Sequence, residues 1–97
     1  MSMAIVDGAL LKNDRDFYVT VAQQIDFGVG YGNNYHAFDD RLGFDLERPI
    51  HITWKNHALS EAQWGDRFRL IVALMEKIQE EDKRYQPEGK RFTYTLE

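Results

Sequence analysis

Apolar positions recur four apart in several long stretches, and shorter runs with a period of two or none lie between them. That alternation is the mark of helices exchanging with strands. Met3-Ala4-Ile5-Val6 is an unbroken apolar run closed by the turn pair Asp7-Gly8, which predicts a first strand buried on both faces. Phe17, Val21 and Ile25 are spaced by four, with Tyr18 and Ala22 beside them, so residues 14–25 form an amphipathic helix. Asn13 or Asp14 caps it, and Asp14 and Asp16 suit the positive end of its dipole.

The next stretch, Gly28 to Leu42, opens as a glycine-rich loop and closes as a short helix over residues 34–42. Asn34 is a good N-cap, because its side-chain oxygen accepts an orphan backbone N–H. At roughly 100° per residue, Tyr35, Phe38 and Leu42 share an inward face while His36 and Asp40 lie outward, with Asp39 between. Gly43 predicts the stop. Phe44 to Arg48 then reads as a loop ended by Pro49.

Ile50-His51-Ile52-Thr53-Trp54 alternates and is rich in β-branched residues, a second strand with Ile50, Ile52 and Trp54 on one face. Asn56 starts a third helix over residues 56–62, and Gly65-Asp66 breaks it. A longer helix over residues 66–84 carries the stripe Phe68, Ile71, Val72, Met75 and Ile78, with Leu74 beside it. After the turn Pro87-Glu88-Gly89, Arg91 to Leu96 alternates as a third strand. The order β-α-α-β-α-α-β predicts an α/β fold: a three-stranded parallel sheet with about four helices and right-handed crossovers.

Composition narrows the function. The chain of 97 residues supports one domain with one modest core, and 43% hydrophobic residues argue for a folded one. It has no run of about 18 apolar residues, so no membrane span is expected. Its first residues lack a basic segment followed by an apolar one, so no signal peptide is read. Cysteine is absent, which excludes disulfides and thiolate metal sites and allows a reducing cytoplasm. A net charge of −4 suits a basic protein partner and argues against nucleic acid.

The candidate chemistry is sparse. Gly28-Val29-Gly30-Tyr31-Gly32 has the wrong spacing for a dinucleotide fingerprint and follows a helix, not a strand. No Lys-Ser or Lys-Thr follows, as a phosphate loop requires; the glycines read as a tight turn. His36, His51 and His57 have no zinc-type spacing, and no cofactor is implied. His36 and Asp40 can in principle act as an acid–base pair, but a convex helix surface offers no cavity that excludes water. Glu76 and Glu80 lie one turn apart on the fourth helix, opposite much of its stripe, with Arg84 continuing the row.

Tyr31, Gly32 and Asn34, followed by Ala37, Phe38, Asp40 and Leu42, resemble the signature loop and second helix of the barstar-like family, small intracellular inhibitors of secreted bacterial ribonucleases. Pro49 to Trp54 is similar to that family's proline-led second strand, and Gly65 to its break between helices three and four. The resemblance implies a single barstar-like domain over residues 1–97, with the first strand central in the sheet. It implies a cytoplasmic bacterial protein that is no enzyme. The expected partner is a basic protein, a secreted ribonuclease or related toxin.

The resemblance also implies site residues. Asp40 would enter the target's active site, where Arg, Lys and His built to hold phosphate meet a carboxylate instead. His36 and Asp39 depart from the family's usual aspartate and tryptophan, and Gly30 from a common aromatic. His36 thereby opens a pH-sensitive contact. Tyr31, Asn34, Phe44, Glu76 and Glu80 complete the expected partner-binding set. The departures keep open an alternative, the same scaffold binding a partner that is not a nuclease.

Overall fold

The protein is described by a computed structural model covering residues 2–97, all but the side chain of Asp45. In chain order the elements are β1 (Ser2–Asp7), α1 (Asp14–Gln24), α2 (Tyr35–Asp40), a π-helical turn (Arg41–Asp45), β2 (Ile50–Lys55), α3 (His57–Trp64), α4 (Asp66–Tyr85) and β3 (Phe92–Leu96). The three strands form one parallel sheet in the order β1-β2-β3, as the β-α-α-β-α-α-β pattern predicts.

Register decides which residues face the helices. Ala4 pairs with Ile52 and Ile52 with Tyr94, Val6 with Trp54 and Trp54 with Leu96, so these rows share the core side. Met3, His51 and Thr93 share the other side with Ile5, Thr53 and Thr95. His51 is held there between two threonines, Nδ1 at 2.6 Å from Thr93 Oγ1 and Nε2 at 3.1 Å from Thr95 Oγ1.

The first strand differs from expectation in two ways. It is an edge strand, with β2 central. It is also buried on one face only: Ala4 and Val6 are covered, while Met3 and Ile5 are each about half exposed. A four-residue apolar run does not distinguish a covered strand from an edge strand with apolar residues on its open face.

The core is built around aromatic rings. Trp54 from β2 is fully buried and stacks on Phe17 of α1 at 4.4 Å, and Phe68 of α4 meets it edge-on at 5.0 Å. Phe38 of α2 packs edge-on against Phe17 at 5.5 Å. Helix α1 is capped by Asn13, whose Oδ1 accepts from Asp16 N at 3.1 Å. Helix α3 runs two residues beyond the expected end, and Gly65, at φ +57°, makes the corner into α4. The stripe of α4 is buried at Phe68, Ile71, Met75 and Ile78 as its spacing predicts, and Asp82 continues it.

Candidate functional site

Helix α2 and the loop before it are positioned by a few local contacts. Asn34 is the N-cap: its Oδ1 accepts from Ala37 N at 2.9 Å and its Nδ2 donates to Gly32 O at 3.3 Å. Phe38 and Leu42 are fully buried, Tyr35 is half-buried against the core, and His36 and Asp40 are exposed. The two faces read from the spacing are the two faces present.

The helix does not stop at Gly43. It widens into a π turn, marked by Leu46 N donating to Arg41 O at 3.1 Å, a span of five residues. The extra residue re-aims the chain beyond it. Phe44 becomes 81% exposed, and a methyl group at Gly43 would lie 3.6 Å from Asp39 Oδ1. The result is a shallow depression of about 450 Å³ lined by His36, Ala37, Asp39, Asp40 and Phe44. Among the described residues, neither the Asp39 nor the Asp40 carboxylate has a hydrogen-bond or ion-pair partner. Both are available to a cation from outside.

Spacing did not reveal Arg41 or Val29. Arg41 donates through its guanidinium to Phe27 O and, at 3.0 Å, to Val29 O, which ties the glycine loop to the end of α2. Val29, at the tip of that loop, is 97% exposed. Gly28 makes the tie possible: its φ is +84°, and a Cβ there would lie 2.7 Å from an Arg41 guanidinium nitrogen. Gly28→Ala is expected to cost about 1 kcal/mol or more in stability. Faster amide exchange confined to residues 27–31 would show that the loop has loosened, and unchanged exchange would refute the tie.

The remaining expected residues lie elsewhere or face inward. Tyr31 is half-buried, its ring 4.7 Å from Phe27, and burial raises its phenol pKa above the usual value. It fastens the loop to the core. Glu76 lines a different depression, between α4 and β3, and accepts a hydrogen bond from the Tyr94 hydroxyl. Glu80 pairs with Lys83 at 3.1 Å, which holds its carboxyl below the usual range. The structure thus groups His36, Asp39, Asp40 and Phe44, and leaves Tyr31, Asn34, Glu76 and Glu80 outside that depression.

Tyr94 is pushed up to about 12 by burial first and then by its bond to Glu76. In the unfolded chain a tyrosine ionises near 10, roughly. The native state therefore gains from the neutral phenol below that pH, and the gain is lost as pH rises through the folded value. Burial raises Tyr18 and Tyr31 too, so stability should fall steeply in alkali. Tyr94→Phe should make that fall shallower in denaturant titrations at successive pH values.

Among the described residues no three His, Asp or Glu side chains are placed to hold a metal ion, and no helix is long and apolar enough to cross a membrane. No curated protein matches the chain. A family model does, described as Barstar (barnase inhibitor), over residues 1–97. The match spans the sheet, the four helices and the loop-helix segment that shapes the depression, and the chain belongs to the barstar family.

Proposed function

We propose that this protein, as a single domain over residues 1–97, is a cytoplasmic inhibitor or immunity protein of a basic bacterial ribonuclease. It covers the enzyme's active site with the segment from Gly28 to Phe44. The observation that supports this most is the exposed carboxylate of Asp40, to which no described residue bonds, held on a short helix with Asp39 beside it.

A ribonuclease site is a cluster of cations that grips phosphate. A carboxylate on a rigid helix offers the same charge and acceptor oxygens without the cost of ordering a flexible chain. Phe44 lines the same depression and adds exposed apolar surface, whose desolvation strengthens a central charge pair. Glu76, Glu80 and the net charge of −4 favour approach of a basic protein through long-range attraction.

The test is direct. The protein is mixed with a basic ribonuclease, ideally one that co-purifies with it, and RNA cleavage and complex formation are followed. Stoichiometric inhibition that weakens with added salt is the expected result. Full cleavage activity at a large excess of this protein, with every ribonuclease tried and with the co-purifying partner, would overturn the reading.

A further inference from the structure

The hydrogen-bond ladder leaves alternate residues of β1 facing away from the sheet. Ser2 N donates to Pro49 O at 3.0 Å and Gly8 N to Lys55 O at 2.7 Å, so even-numbered residues bond to β2. Met3 and Ile5 turn their backbone groups to the free edge, while at Asp7 the carbonyl accepts from Leu10 N at 3.0 Å. At Ile5 that edge is already filled: Gln24 Oε1 accepts from Ile5 N at 2.8 Å and Gln24 Nε2 donates to Ile5 O at 2.8 Å.

A primary amide bonded to both groups of one residue reproduces what a neighbouring strand would supply. We propose that Gln24 is a plug in a strand-addition site, and that the strand it keeps out is β1 of a second copy of this chain.

Two features support that occupant, one of geometry and one of surface chemistry. An antiparallel pair of β1 strands with its two-fold axis at Ile5 would exchange two bonds between Ile5 and its equivalent. Those are the bonds of a closely spaced antiparallel pair, and they replace the two that Gln24 makes. Such a pair sets Ile5, 49% exposed, against its equivalent, and lays the stem of Met3, 51% exposed, beside Asp7 of the other copy. Exposed apolar edges of this kind are the ones that pair with their own kind unless something covers them.

The opposite edge carries the same device in weaker form. On β3, Tyr94 N donates to Gln79 Oε1 at 3.2 Å and Phe92 N to Asp82 Oδ2 at 2.7 Å. In both contacts the side chain accepts: the Asp82 carboxylate has no proton to give, and Gln79 meets Tyr94 N through its oxygen. Gln24 alone among these side chains satisfies a donor and an acceptor of the same residue.

Removing the plug leaves Ile5's backbone groups at an edge where water can reach them, so the fold should survive Gln24→Ala. The experiment is sedimentation equilibrium of the natural chain and of Gln24→Ala over a wide concentration range, with exchange of the Ile5 amide followed in both. The natural chain should stay monomeric with Ile5 protected. Gln24→Ala should approach twice the monomer mass as concentration rises, with Ile5 unprotected when dilute and protected again when concentrated.

Adding Ile5→Pro removes the outward N–H without touching the ladder to β2, and should return the variant to a monomer. Gln24→Glu, which can accept from Ile5 N but not donate to Ile5 O, adds a repelling charge and should remain monomeric. A Gln24→Ala variant that stays monomeric at every concentration would overturn the proposal. So would a dimer that forms equally well with Ile5→Pro, since its interface would then lie elsewhere.

Discussion

Asp82→Ala is expected to destabilise the protein by about 3–5 kcal/mol. The carboxylate lies at the C-terminal end of α4, and both it and its partner Arg48 are about nine-tenths buried. Arg48 Nε donates to Asp82 Oδ2 at 2.7 Å and a second guanidinium nitrogen donates to Oδ1 at 3.3 Å. The same carboxylate accepts from Phe92 N at 2.7 Å, and Arg48 also donates to Leu46 O at 2.9 Å. One cluster therefore joins α4, the start of β3 and the segment leading into β2. Alanine leaves Arg48 charged and buried with one acceptor, and it leaves Phe92 N without its partner.

Breaking such a pair costs far more than the pair itself contributes, because the remaining charge has lost both water and its counter-ion. A domain of this size has about 5–15 kcal/mol in total, so the variant should lie near the edge of folding. The urea midpoint measures the effect, with the slope held constant as the sign that the unfolded state is unchanged. Replacing both residues with apolar ones, Arg48→Met with Asp82→Leu, should recover much of the loss. A single Asp82→Ala variant that loses less than about 1 kcal/mol would show that water relieves the stranded guanidinium.

Asp82 also shows where sequence reading succeeds and where it halts. The stripe on α4 was legible because its apolar residues repeat cleanly, and Asp82 falls four residues after Ile78 on that same stripe. A charged residue at a core position is itself a signal of a buried partner. The partner, Arg48, lies thirty-four residues away and no local pattern names it. The same limit applies to Glu76, whose bond to Tyr94 crosses from helix to strand.

The second helix was legible on both faces, because Phe38 and Leu42 need burial and His36 and Asp40 do not. Its end was not. Gly43 reads as a stop because glycine lacks the side chain that favours continuing, yet a π turn also tolerates it, and that turn carries Phe44 outward. In the first strand Met3 and Ile5 are as apolar as Ala4 and Val6, so the pattern alone predicts cover on both faces. Only the position at the edge explains why half of that apolar surface is left open.

The largest functional effect is expected at Asp40. Asp40→Ala should weaken binding to the ribonuclease proposed as the target by about a hundredfold or more, the scale of a charge-assisted pair lost from a desolvated contact. Its effect on stability should be within about 0.5 kcal/mol, since the carboxylate is exposed and no described residue bonds to it. The sign can even be favourable. Asp39 is its neighbour in sequence, and removing one of two adjacent like charges relieves repulsion in the fold. Asp39→Asn should weaken binding less, as it sits half-buried between the two faces. Asp40→Asn separates charge from shape: it keeps an acceptor oxygen but cannot pair with an arginine as an ion, and it should behave nearly like alanine. Inhibition curves and melting temperatures on the same preparations give both readouts. Unchanged inhibition by Asp40→Ala, with the fold intact, would mean that the target's cations are met by some other part of this surface.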